Sequence, residues 1–172
     1  MEMHDWSAAR QIQHRATLQA AIGDIALVLA ADATVTALRA VGAQRISILS
    51  PMGESQSASA RAFYEAMGFS VAGDHCLGVQ RSADIPKLRD ETILEAFETI
   101  DRPEVDTLLH VGGALCTLPL IGQLEAKHGK PVVSVNAATY WMSLRWLGID
   151  DRIGGFGKLL TLALPEGARL QA

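Results

Sequence analysis

Between Val105 and Leu124 the sequence reads VDTLLHVGGALCTLPLIGQL, and this stretch restricts the possible fold more than any other. An apolar run of Val105, Leu108, Leu109 and Val111 stops at Gly112-Gly113, and a helical pattern opens at Thr117 with Leu118, Leu120, Ile121 and Leu124 on one side. Short continuous apolar runs suit strands buried on both faces, which occur in parallel sheets covered by helices. A strand that ends at glycines and turns into a helix is also where open α/β sheets receive ligands, at strand carboxyl ends beside unbonded helix N–H groups. The expectation is a small-anion cradle, for a carboxylate, running from Gly112 through Gly113 and Ala114 to Thr117.

The rest of the chain repeats the alternation. Helices are expected over 5–22, 34–41, 54–67, 90–100 and 137–147, with Gly23 and Gly42 as C-caps, Asp90 and Asn136 as N-caps, and 129–131 as a turn. In the first helix Ile12, Ala16 and Ala20 form an apolar stripe; in the third, Ala58, Ala62 and Met67 are expected inside and Glu54, Arg61 and Glu65 outside. Strands are expected over 45–50 and 69–71, over the focal run near 108, and over 132–135, with 24–29 as a short outlying strand and an irregular stretch through Cys76. Alternating strands and helices call for an α/β fold: three layers, a parallel sheet of about four strands, helices on both faces. The Gly-rich, then apolar, segment after Gly148 reads as one that lies against another surface.

Composition narrows the classes. With 172 residues, 49% hydrophobic and 20% charged, the chain can bury one sizeable core. The net charge of −4, with no Lys/Arg cluster, argues against nucleic acid and anionic membrane as partners. No basic leader precedes an apolar stretch, and the longest apolar run, 25–31, is too short to span a bilayer. The two cysteines, Cys76 and Cys116, have no metal-ligand spacing around them, so free thiols in a reducing cytoplasm are expected and no metal is.

Four stretches in order, ALRAVGAQRISILSPM (37–52), FYEAMGFSV (63–71), GGALCTLPLIGQLEAKHGKPVVSVNAATYWMSLRWLGI (112–149) and GGFGKLL (154–160), resemble the aspartate/glutamate racemase superfamily in its maleate isomerase and arylmalonate decarboxylase branch. The resemblance implies one lobe of a two-lobed racemase-like fold and cofactor-free chemistry on small carboxylic or dicarboxylic acids. In such enzymes two opposed thiols, or one thiol and an oxyanion pocket, move a proton or stabilise a carbanion beside a carboxylate. It further implies a division into residues 1–42, connecting helices and a short strand left from a first lobe; 43–160, the racemase-like lobe; and 161–172, a tail. Aligned on Thr117-Leu118, Gly112 falls where the second-lobe cysteine is usually found, and Met52 falls where a tyrosine often stands. A truncated chain with an incomplete cysteine pair is therefore expected, either a homo-oligomer or a partner to a missing lobe. The other reading is a non-catalytic, carboxylate-binding or self-assembling domain.

Candidate substrate-binding residues are Gly112, Gly113, Ala114, Thr117, Met52 and Gly53. Gly112 and Gly113 serve either close ligand approach or a tight turn with positive φ. Thr117 either donates to the anion or caps its helix, and capping is the expected role. Cys116 and His110 are the catalytic candidates: a thiol near a helix N-terminus is activated by the dipole, and an imidazole titrates near neutrality. Core packing is the plainer expectation for Cys116, and a satisfied buried histidine for His110. Glu54 and Ser55 sit on the loop facing the same crevice but are also ordinary first-turn residues. Cys76 and His75, adjacent on extended chain, point apart and do not form a pair. Tyr140, Trp141 and Trp146 are expected to pack, facing the absent lobe.

Overall fold

The computed structural model describes residues 7–165. Its elements run α1 (Ala8–Ile22), α2 (Ala30–Val41), β1 (Arg45–Ser50), α3 (Glu54–Ala66), β2 (Ser70–Cys76), α4 (Asp90–Ile100), β3 (Thr107–His110), α5 (Ile121–His128), β4 (Val132–Ser134) and α6 (Val135–Trp146). Short 3-10 turns lie at Ser82–Lys87, Leu118–Leu120 and Leu159–Thr161. The four strands form one sheet in the order β2-β1-β3-β4, and every neighbouring pair is parallel.

This order decides where the helices go. Crossovers between parallel strands are right-handed, so α3, which carries the chain from β1 outward to β2, covers one face. Helices α4 and α5, which carry it the other way, cover the opposite face. Ile46, Ile48, Leu49, Leu108, Leu109 and Val133 are each 0% exposed, as a sheet sealed on both sides requires. The three-layer α/β architecture with about four parallel strands is thus the one expected.

Both edges of the sheet are occupied. On β2, Arg61 Nη1 donates to the carbonyl of Val71 at 2.8 Å and Arg102 Nη1 to that of Ala72 at 3.1 Å, beside a register shift in the pairing with β1. On β4, Glu125 Oε1 accepts from Val132 N at 3.0 Å, while its Oε2 accepts from Lys158 N at 2.8 Å. The segment after α6 is stitched down by one buried cation. Arg145, 3% exposed, donates through Nε to the carbonyl of Leu162, through Nη1 to Ile149, and through Nη2 to Asp151 and Leu160.

Several local expectations are corrected. Residues 24–29 form no strand; they run without a sheet partner into α2, which starts at Ala30 with Leu29 at its N-cap position. Strand β2 continues to Cys76 because residues 70–76 pair along the whole of β1. Helix α3 buries Ser57, Ala60, Phe63 and Tyr64 and exposes Ala58 and Ala62: the two aromatics claim the inside, and alanine is at home on a helix surface. In α1 the stripe faces out, with Ile12 66% exposed and Ala16 and Ala20 also exposed; the helix is held by buried Gln11 and by an Arg15–Asp32 ion pair. Arg89, not Asp90, is the N-cap position of α4. Trp141 is 0% exposed and donates its indole N–H to the Leu162 carbonyl at 2.8 Å, so it faces the chain's own C-terminal segment. Tyr140, in contrast, is 53% exposed. The tail expected over 161–172 is described only to residue 165, where Leu162 and Leu164 pack against the core. No helix among the described residues is long and apolar enough to cross a membrane.

Candidate functional site

From β1 the chain leaves toward β2, whereas from β3 it leaves toward β4 on the opposite side. The two connections therefore part above the carboxyl ends of β1 and β3, which is the place where sheets of this kind bind ligands. Nearly every candidate residue falls there. The β1 end supplies Pro51, Met52 and Gly53, and the β3 end supplies the loop from Val111 to Thr117.

The β1 side is held rigidly. The Ser50 hydroxyl accepts from Met52 N at 3.2 Å. Residues beyond β2 extend the pairing upward, with Leu77 N on Ser50 O, Val79 N on Pro51 O and Gly78 N on Met52 O at 2.8–3.1 Å. Gly53 occupies the N-cap position of α3 in extended backbone, and Glu54 and Ser55 lie exposed in that helix's first turn.

On the β3 side, Gly112 has φ +93°, a conformation that favours glycine, and a Cβ there would sit 2.8 Å from Pro51 Cγ and 3.9 Å from Met52 Cε. The turn is thus packed against the β1 loop. Gly113 is built differently: its backbone is not left-handed, but a Cβ on it would lie 2.7 Å from Asn136 Oδ1. The Asn136 Nδ2 donates to the Gly113 carbonyl at 2.8 Å, and Leu115 N donates to the Gly112 carbonyl at 3.4 Å. Among the described residues no hydrogen bond uses the N–H of Gly113, Ala114 or Cys116. Three amide donors in a four-residue turn are the raw material of an anion site.

Asn136 does not cap α6; Ser134 does, its hydroxyl accepting from Ala137 N at 3.2 Å. This frees the Asn136 amide to reach the loop. Nor does Thr117 cap the helical turn that follows it. Its hydroxyl is buried, 2.8 Å from His110 Nδ1 and 3.3 Å from the Leu115 carbonyl, which it donates to. His110, 1% exposed at the end of β3, pairs in register with Leu49 and Ser134. The His110–Thr117 pair thus braces the loop from beneath. Cys116 is the opposite of its core expectation: it is exposed, with a free thiol, because the turn directs Leu115 and Thr117 inward on either side of it. Cys76, also a free thiol, is half-buried at the end of β2. No group of three His, Cys, Asp or Glu residues among those described is arranged to hold a metal.

Two contributors escaped the sequence reading. The packing of Pro51 on Gly112 joins residues 61 positions apart, beyond any local pattern. Asn136 lies 23 positions from Gly113, but the Ser134-x-x-Ala137 arrangement could have signalled that serine was the cap and the asparagine was free.

A family model described as arylmalonate decarboxylase matches residues 8–160. The maleate isomerase of Nocardia farcinica is 31% identical over 131 residues, covering 76% of this chain and 52% of that protein. The arylmalonate decarboxylase of Bordetella bronchiseptica is 27% identical over 132 residues, covering 74% and 54%. A solved structure of the Nocardia farcinica maleate cis-trans isomerase, a cysteine-to-serine variant with a covalently bound succinylcysteine intermediate, superposes with TM-score 0.81 at 30% identity, covering 89% of this chain and 63% of that one. The chain spans about half the length of the curated relatives it matches. The order of strands, the loop at their crossover and these matches lead to one conclusion: the chain belongs to the arylmalonate decarboxylase family, together with the maleate isomerases it resembles.

Proposed function

We propose that this chain is a carboxylate-binding lobe that acts on small carboxylic or dicarboxylic acids without a cofactor, and that its loop 112–117 receives a carboxylate on the amides of Gly113 and Ala114. The observation that carries this reading is the pair of amides without a protein acceptor among the described residues, at the parting of β1 and β3. The resemblance would place a thiol at Gly112, and Cys116 is the sulfur this loop carries instead. His110 is bonded to Thr117 and shielded, so it supports the loop and does not meet substrate.

One thiol limits the chemistry. Racemisation needs an acid and a base on opposite faces, and isomerisation of a cis double bond by a thiol needs one group to add as a thiolate and another to protonate the neighbouring carbon. Decarboxylation of a malonate needs only one proton donor. The C–CO2 bond breaks, its electron pair passes into the remaining carboxylate as an enediolate, and CO2 leaves. The loop amides hold the developing charge, the Cys116 S–H protonates the α-carbon, and water returns the proton to the thiolate. The test is CO2 release from an arylmalonate and fumarate formation from maleate, each with and without Cys116→Ala. Slow decarboxylation that disappears in Cys116→Ala while dicarboxylate binding persists is expected. Turnover indifferent to that change overturns the role of Cys116, and no binding of maleate or malonate overturns the cradle.

Exposed apolar side chains favour a second reading, a non-catalytic or self-assembling domain. Ile12, Ile25 and Leu147 are 66%, 67% and 75% exposed, and covering such surface is worth roughly 25 cal/mol per Å². Sedimentation equilibrium at micromolar concentration separates the readings, since a well-behaved monomer contradicts self-assembly.

A further inference from the structure

We infer that Asn136 is a positioning residue for the anion loop: by gripping the Gly113 carbonyl it sets the direction in which the Ala114 amide points. The inference rests on the carboxylate-cradle reading above. In a trans peptide the C=O and N–H of one unit point in opposite directions, and no peptide among the described residues is cis. The Asn136 Nδ2 holds the Gly113 oxygen toward the first turn of α6 at 2.8 Å. The N–H of the same unit, that of Ala114, is therefore turned away from α6. The preceding unit is fixed in the same way: Leu115 N on the Gly112 carbonyl turns the Gly113 N–H outward from the turn. Two successive amides are thus aimed by what is bound to their oxygens.

Side chain and glycine require each other. A Cβ on residue 113 would stand 2.7 Å from Asn136 Oδ1, which is a backbone-compatible but sterically impossible neighbour unless the amide group withdraws. Glycine at 113 is therefore what lets Asn136 approach, whereas glycine at 112 answers to its own φ and to Pro51. Asn136 itself is exposed at the second position of α6, with Ser134 performing the cap, so its removal leaves the helix start intact.

The experiment follows the Gly113 and Ala114 amide signals of the 15N-labelled chain during titration with maleate and with malonate, for the wild type, Asn136→Ala, Gly113→Ala and the double variant. The wild-type Ala114 proton should move downfield. Either single change should weaken the dissociation constant about tenfold, the scale of one charge-assisted hydrogen bond, and the double variant should be no weaker than either. The rest of the amide spectrum and the melting temperature should stay close to wild type. Single effects that add in the double variant, or an Asn136→Ala chain that binds as the wild type does, overturn the inference and leave the cradle standing. A wild-type loop silent to both dianions overturns the cradle itself, and the inference with it.

Discussion

Replacing Gly112 by cysteine puts a thiol where the family resemblance would place one, and the structure gives the cost. At φ +93° a residue with a Cβ is strained by about 1–2 kcal/mol. The new Cβ would lie 2.8 Å from Pro51 Cγ and 2.9 Å from Pro51 Cδ, where carbon atoms rest at roughly 3.5–4.0 Å. Pro51 is buried and tied through its carbonyl to Val79 N, so it yields poorly, and forced packing of this kind adds about 1–3 kcal/mol. The sum is about 3 kcal/mol, which at roughly 2–4 °C per kcal/mol for a chain of this size lowers the melting temperature by about 6–12 °C. Thermal denaturation of Gly112→Cys, Pro51→Ala and the pair closes a double-mutant cycle. Because Pro51→Ala deletes both clashing carbons but not the φ strain, a favourable coupling of about 1–2 kcal/mol is expected. A Gly112→Cys chain that melts with the wild type, or a cycle without coupling, would falsify the claim that this position is closed to a thiol.

Three further outcomes follow. Arg145→Met removes four hydrogen bonds at once, although the Leu162 and Leu160 carbonyls keep Trp141 Nε1 and Ile153 N; a loss of about 2–4 kcal/mol in urea denaturation is expected, at about 0.5–1.5 kcal/mol per hydrogen bond with incomplete additivity. Thr117→Val, isosteric but without the hydroxyl, should cost about 1–2 kcal/mol by the same measurement and should weaken dicarboxylate binding through the loosened loop, whereas Cys116→Ala should leave stability unchanged because the thiol is exposed. Acid should destabilise the fold. Burial raises the pKa of Asp74 and of Asp101, but hydrogen bonds and charge from Arg61, with Ser57, and from Lys130 and His128 outweigh it and hold both below the usual carboxylate range. A folded-state pKa below the unfolded one contributes stability that is complete above the unfolded value near pH 4. That contribution, about 0.5–1 kcal/mol for each half-exposed pair, is lost as pH falls further, and Asp101→Asn should flatten the acid limb of a melting-temperature profile.

What could be read in the sequence was what depends on local pattern. Strand β1, the apolar run of β3 and the turn at 129–131 carry their own signals, and their sum gave the layered sheet. Two of the errors share one cause, which is that a stripe shows a helix has two sides without showing which side the core takes. In α3 the stripe of alanines lost to Phe63 and Tyr64, and in α1 Ile12 faces outward while Gln11 is buried. Residues 24–29 looked like a strand because an apolar run does not reveal whether an adjacent strand exists to pair with it. At the site, the glycine turn was visible, but the grip of Asn136 and the closure by Pro51 were not, since each joins segments that only the sheet order brings together.

The guanidinium groups lying on β2 and the carboxylate on β4 bear on how two such chains could meet. A carbonyl already holding an arginine cannot accept from an arriving strand, and an amide already given to Glu125 cannot donate to one. Continuation of the sheet from molecule to molecule is therefore obstructed at either margin, which also removes a common route to fibrous aggregation. Pairing of copies would then fall to helix and loop surfaces, where apolar contact is non-directional.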